Sequence, residues 1–335
     1  MILLALPCWA TDWVADVDRD LQWAFLEDLT GRTPVNGTSI ASRNIHHEHH
    51  ALARAYLWAR LRRIPGLRTR EEPFRAEGED GLANLVAVVP GSNPTLDPIV
   101  VSAHYDSTAS LGDTWSPTGS TAPGADDDAS GCAAILELAR LLSTGPGHER
   151  DIELVLFDAE EEGLLGSEDH VAHRTRGVHV MLSLDPVGYN AGGAGWLFAS
   201  AGPDTDFAVQ ALEASMALLP LETVQRFDAV DAALIGPARS DHGPFLEAGY
   251  PALHIGTFPQ PPTYHTPGDT LDVVDPGFVA DTTSLVGAAV SELAGPLEPD
   301  TRRACAHTRL SGLWAWALVL ISLSCRGTCR LRRGT

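Results

Sequence analysis

Lysine is absent from the 335 residues, so all 23 basic side chains are arginine. GC-rich coding explains this, with adaptation to high salt as the alternative. The arginines stand against 44 acidic residues and leave a formal net charge of −21. Phosphate binding needs a basic face, and none is evident over the main body, which excludes a nucleic-acid partner. Cysteine is scarce as well. Cys8, Cys132, Cys305, Cys325 and Cys329 form no C-x-x-C zinc pattern, and four of the five crowd the chain ends. Neither a cysteine zinc site nor a disulfide framework for the core is indicated, and Cys132, in an apolar helix-like run, reads as a small core residue. Internal repeats are lacking too. Large apolar residues are not: a hydrophobic fraction of 44% with eight tryptophans fits a packed globular body.

The two ends differ from this body. "MILLALPCWA" is apolar but short for a secretory signal and has no basic flank beyond the amino terminus, so residues 1–15 read as a possible truncated signal segment. At the other end, Leu310 to Cys325 carries no charge and is followed by Arg326, Arg330, Arg332 and Arg333. Apolar length with a cytoplasmic basic flank is the pattern of a membrane segment. Residues 299–335 are therefore expected to anchor or sort the protein at a membrane, with the body, residues 16–298, outside the cytoplasm.

Within the body, helical and strand-like segments alternate. "LANLVAVVPG", "PIVVSAHYD", "DIELVLFDAEE", "VHVMLSLDPVG" and "YPALHIGT" read as strands, and helices are expected from His46 to Leu61, near Asp128 to Leu142 and around Phe207 to Leu218. Nearly continuous apolar strands separated by helices imply an α/β fold, with a mixed, largely parallel central sheet flanked by helices on both faces. "HHEHH" fails the H-E-x-x-H zinc pattern because residue 51 is Ala, and it reads as a solvated helix start.

Acidic residues and histidines fall at the ends of these strands, where α/β sheets open onto a crevice. His104 and Asp106 end the second strand, Glu160 and Glu161 the third, and Asp185 the fourth, while Asp126 opens the turn "PGADDDASG". A carboxylate at the end of an apolar strand is costly unless a cation or hydrogen bonds compensate it. Several converging carboxylates with two imidazoles make a divalent metal the economical explanation.

"AHYDS", "PGADDDASG", "FDAEEEGLLGS", "LSLDPVGY" and "YHTPGDT", in that order, resemble the motifs of the co-catalytic two-zinc aminopeptidases, peptidase family M28. The likeness runs from about Leu85 to Asp275. It implies the zinc-exopeptidase fold and two zinc ions, with His104 and Asp185 on one, Glu161 and His265 on the other, and Asp126 bridging both. It further implies a cis peptide between Asp126 and Asp127, Asp106 orienting His104, and Glu160 as general base toward a water shared by the metals. The implied reaction is release of amino-terminal residues from peptides. Other divalent ions suit such carboxylate-rich pairs as well.

The chain departs from the family where some members place a Tyr shortly before the Ser-Asp-His turn. "IGPARSDHGPF" has Pro237, Ala238 and Arg239 there. Arg239 or Tyr264 is then the candidate partner of the tetrahedral oxyanion, Arg239 being equally readable as a solvated charge. Asp241 and His242 are candidates for the pocket floor or for a purely structural turn. Two other activities of the family stay open: a carboxypeptidase, for which Arg239 is the obvious clamp, and a glutaminyl-peptide cyclotransferase.

Overall fold

The computed structural model describes residues 13–76, 78–231 and 239–297. The expected signal and membrane segments fall on residues 1–12 and 298–335, outside the described residues, as does the 232–238 stretch ahead of Arg239. Among the described residues, no helix is long and apolar enough to cross a membrane.

Eight strands form one mixed sheet: β1 (Arg68–Ala76), β2 (Glu79–Val89), β3 (Ile99–His104), β4 (Ile152–Phe157), β5 (Val180–Leu184), β6 (Trp196–Ala201), β7 (Arg226–Asp231) and β8 (Ala252–Thr257). Their order is β1-β2-β4-β3-β5-β8-β6-β7. The four central strands β4, β3, β5 and β8 are mutually parallel, whereas β2 and β6 flank them in antiparallel pairing. The central strands are buried at almost every position, which is why they read as continuous apolar runs rather than alternations.

The helices are α1 (Trp13–Asp16), α2 (Arg19–Leu29), α3 (His50–Arg63), α4 (Ala129–Thr144), α5 (Leu165–Ala172), α6 (Asp206–Leu218), α7 (His242–Glu247) and α8 (Pro276–Leu293). One face of the sheet builds the main core, where Leu85, Val101, Leu154, Leu182 and Ile255 meet residues of α2, α3, α4, α6 and α8. The other face carries a smaller core of Val86, Val100, Val155, Phe157 and Met181, covered by α5 and α7 through ring contacts of Phe157 with His170 and Phe245. Helices thus lie on both faces, unequally. Trp13 packs on this body: its ring fills the space where a side chain at Gly287 of α8 would stand.

α3 begins at His50, and the "HHEHH" run is only partly solvated: Glu48 is exposed, whereas the imidazoles have protein partners. His46 Nδ1 lies 2.6 Å from Glu79 Oε1, the Ala41 amide donates to His49 Nδ1, and buried His50 meets Asp158 Oδ1 at 2.7 Å. Asp158 also receives the Tyr105 hydroxyl at 2.5 Å and the Ala83 amide at 3.0 Å. This carboxylate ties α3, β2 and the end of β3 together.

Candidate metal centre

The catalytic candidates gather at the carboxyl ends of the central parallel strands. His104 is the last residue of β3, Asp185 directly follows β5, and Glu160 and Glu161 lie in the turn after β4. That turn is bent by Ala159, at φ 56°, a left-handed conformation a non-glycine residue adopts only where its surroundings enforce it. His265, in the loop after β8, also has positive φ (54°), and its carbonyl accepts the Leu111 amide at 2.9 Å.

The three consecutive aspartates before α4 are all buried and point three ways. Asp126 accepts the Gly188 amide on Oδ1 at 2.8 Å. Asp128 caps α4 by accepting the Gly131 amide at 2.9 Å, and its other oxygen takes the His104 amide at 3.1 Å. Only Asp127 enters the cluster: its Oδ1 is 3.0 Å from His104 Nε2 and its Oδ2 is 3.0 Å from His265 Nε2. The place between the two imidazoles, expected for Asp126, is occupied by Asp127, and the cis peptide bond is Asp127–Asp128 rather than Asp126–Asp127. Asp126 turns Oδ1 onto the Gly188 amide and stands outside the donor groups formed by His104, Asp127, Glu160, Glu161 and Asp185.

Around Asp127 the donors form two half-sites. His104 Nε2 is 3.4 Å from Asp185 Oδ1, and His265 Nε2 is 3.2 Å from Glu161 Oε2. Two donor groups, His104–Asp127–Glu161 and His104–Glu160–Asp185, each have their donor atoms within 4.8 Å of one another. The electrostatics point the same way. Burial, together with the neighbouring carboxylates, pushes Glu160 and Glu161 well above the usual carboxylate range, although His104 pulls against it. Burial disfavours charge on His104, yet Asp185 and Glu160 raise its pKa well above the ordinary imidazole value. Asp127 is held below its usual range by His104 and His265 in spite of its burial. More negative charge converges here than the two imidazoles neutralise, and Glu161 Oε1 is buried without a hydrogen-bond partner. Mixed carboxylate and imidazole donors with an orphaned buried oxygen fit a pair of divalent cations.

Supporting residues hold this geometry. Asp106 accepts the Glu160 amide on Oδ1 at 3.0 Å and the Glu161 amide on Oδ2 at 3.1 Å, while Oδ1 lies 3.4 Å from His104 Nδ1. It thus pins the glutamate turn and stands beside the imidazole it was expected to orient. Sequence reasoning missed Asp269, within the "YHTPGDT" motif, whose carboxylate accepts the Asp126 and Asp127 amides at 2.9 and 3.0 Å. It also missed Arg43, fully buried, which donates to the carbonyls of Tyr105, Leu29, Pro123 and Gly124 and so holds the turn before the aspartates. A single arginine in a polar stretch gave no cue.

The substrate-side candidates separate. Tyr264 stacks on His265 at 3.7 Å between ring centres, and burial plus the charges of Asp127, Asp185, Glu161 and Glu160 raise its phenol pKa, so it remains a donor. Arg239 is exposed. Asp241 is fully buried, its carboxyl pushed up to about 7 by burial, with Asp185 and Asp106 adding to the shift against His104. His242 is buried too, stacked on His254 at 5.3 Å between ring centres.

Residues 84–290 match peptidase family M28, and the chain belongs to that family. Leucine aminopeptidase 1 of Sclerotinia sclerotiorum is 33% identical over 233 residues, which cover 64% of this chain and 56% of that protein. A structure described as BSAP, a zinc aminopeptidase from Bacillus subtilis, is 27% identical, with a TM-score of 0.52 over 64% of this chain and 50% of the other. The LapA aminopeptidase of Legionella pneumophila shares the fold at a TM-score of 0.69, covering 86% of this chain and 75% of that one at 21% identity. The chain spans about half the length of the curated relatives it matches, 41% and 56% for two of them.

Proposed function

We propose that the protein is a two-zinc aminopeptidase. Asp127, Asp185 and His104 would hold one zinc, and Asp127, Glu161 and His265 the other. The observation that carries this reading is the Asp127 carboxylate, whose two oxygens each face a different imidazole nitrogen at 3.0 Å. The neighbouring zinc aminopeptidase from Bacillus subtilis supports zinc as the metal. When bound, the pair would polarise the scissile carbonyl and lower the pKa of water.

The chain's own groups do the rest. Glu160 has its donor atom within 4.8 Å of those of His104 and Asp185, while Asp127, Asp185, His104, Glu161 and His265 already supply the donors of the two half-sites. It is the general base, taking a proton from the attacking water on a carboxylate oxygen and passing it to the leaving amine. Asp106 fixes that base by accepting its backbone amide. Tyr264, held protonated, donates a hydrogen bond to the carbonyl oxygen as negative charge develops there. An acidic cluster attracts the α-ammonium of a peptide and repels an α-carboxylate, which favours the aminopeptidase over the carboxypeptidase reading.

Activity on aminoacyl anilides is expected to disappear with a strong chelator and return with zinc, and Glu160→Gln to retain metal while losing roughly a hundredfold or more in kcat. Near-normal turnover in that variant would mean the base is misassigned. Turnover confined to amino-terminal Gln substrates, with cyclisation, would replace the hydrolase reading. We further propose, on the sequence of residues 310–333 alone, an extracytoplasmic enzyme anchored by its tail. Removal of residues after Ala304 should release the protein from membranes, and continued membrane association would refute the anchor.

A further inference from the structure

Glu160 is aimed by its backbone. Among the described residues no hydrogen bond reaches its carboxylate, whereas its amide and that of Glu161 are held by Asp106. Glu161 would gain a zinc ion as a second anchor, and the base would not. The aim of Glu160 therefore depends on where the turn of residues 158–166 is fixed, and every polar group of its first residue is taken up. The Asp158 amide donates to Asn84 Oδ1 at 3.2 Å, and the Asp158 carbonyl accepts the Gly166 amide at 3.1 Å, which closes the turn. The carboxylate accepts the Tyr105 hydroxyl at 2.5 Å and the Ala83 amide at 3.0 Å on Oδ2, and its Oδ1 lies 2.7 Å from His50 Nε2. A carboxylate accepts, so that nitrogen donates.

Tyr105 stands between His104 and Asp106, so the ends of β3 and β4 brace each other twice. Asp106, after β3, holds the amides of Glu160 and Glu161, and Asp158, after β4, takes the hydroxyl of Tyr105. His50 adds a leg from outside the sheet. It opens α3, is buried, and stacks on the Tyr105 ring at 5.5 Å between ring centres. It lies far from the metal-binding candidates in sequence, in the "HHEHH" run that has no other part in the reaction.

We infer that His50 is a positioning residue for the general base: through Asp158 it fixes the start of the turn that aims Glu160. This role rests on the reading of Glu160 as the base of a zinc aminopeptidase. A buried acceptor deprived of a donor is costly, so an Asp158 carboxylate without His50 turns toward another partner and the turn follows it. A misplacement of about 1 Å at a reacting group costs up to roughly a hundredfold in rate.

The test is a double-mutant cycle on the zinc-loaded protein, with kcat and KM on an aminoacyl anilide, zinc content and the urea midpoint measured for each variant. His50→Leu should lower kcat about tenfold at unchanged KM and unchanged zinc content. His50→Gln, whose amide keeps a donor near the place of Nε2, should restore most of that loss. In a Glu160→Gln background, His50→Leu should lower the residual turnover no further, because no base is left to aim. Tyr105→Phe keeps its ring and removes a donor from the same carboxylate, so it carries the same cycle if His50→Leu does not fold. A loss in the double variant as large as in the single one, a loss that follows departing zinc, or an unchanged kcat overturns the proposal. Near-normal turnover by Glu160→Gln alone would instead overturn the base assignment, and the role of His50 with it.

Discussion

Asp126, Asp127 and Asp128 are chemically identical and adjacent, yet one accepts a backbone amide from Gly188, one lies between two histidines, and one caps a helix. The sequence shows that carboxylates must gather there, since three acids before an apolar helix need compensation. It cannot show which of them faces the cleft, because a one-residue difference is set by the direction of the backbone through the turn. That direction depends on Asp269 holding two consecutive amides and on Arg43 gathering the preceding carbonyls, both contacts distant in sequence. His104, Glu160, Glu161 and Asp185 were legible for a simpler reason: each follows an apolar strand closely, and their chemistry is costly there without a cation.

Helix α4 carries this turn against β5, and its spacing from that strand can be tested. A Cβ at Gly131 would stand 2.5 Å from the Leu184 carbonyl oxygen and 2.5 Å from the Asp128 carboxylate. Helix propensity favours Ala over Gly by about 1 kcal/mol, but forced displacement of a packed backbone costs about 1–3 kcal/mol. Gly131→Ala should therefore destabilise the protein in urea denaturation and lower kcat, since Asp128 and Asp185 move with the helix and strand. A stabilised variant would show that the contact relaxes freely.

The central strands and α4 were visible as elements because burial on both sides gives unbroken apolar runs. Strands β1 and β7 were not, because their exposed and half-exposed positions carry charges, as in "RTREEPFRA". Nor was α8, buried from Gly277 to Ser291 and so without a polar face to mark its period.

At the scale of the whole molecule, acid sensitivity should come partly from His148, far from the metal centre. It is 2% exposed, bonded at Nε2 to Ser291, and burial lowers its pKa to about 4 from 6.5. The unfolded chain then binds more protons between these two values, so stability is full above about pH 6.5 and declines as the pH falls toward 4. The shift corresponds to an upper bound of about 3 kcal/mol. His148→Asn should flatten the stability profile in that window, and parallel profiles for the two proteins would remove His148 from the account. The candidate metal centre links the whole fold in a different way, because its residues come from β3, the α4 turn, the β4 turn, the end of β5 and the loop after β8.

The most direct measurement is metal content after exhaustive dialysis, by mass spectrometry, with turnover assayed in parallel, for the native chain, Asp126→Asn and Asp127→Asn. Asparagine at 126 still offers a carbonyl to the Gly188 amide, so that variant should keep two zinc ions and most of its activity, whereas Asp127→Asn should lose metal and turnover together. Retention of both metals and near-normal turnover by Asp127→Asn, or their loss only from Asp126→Asn, would contradict the assignment.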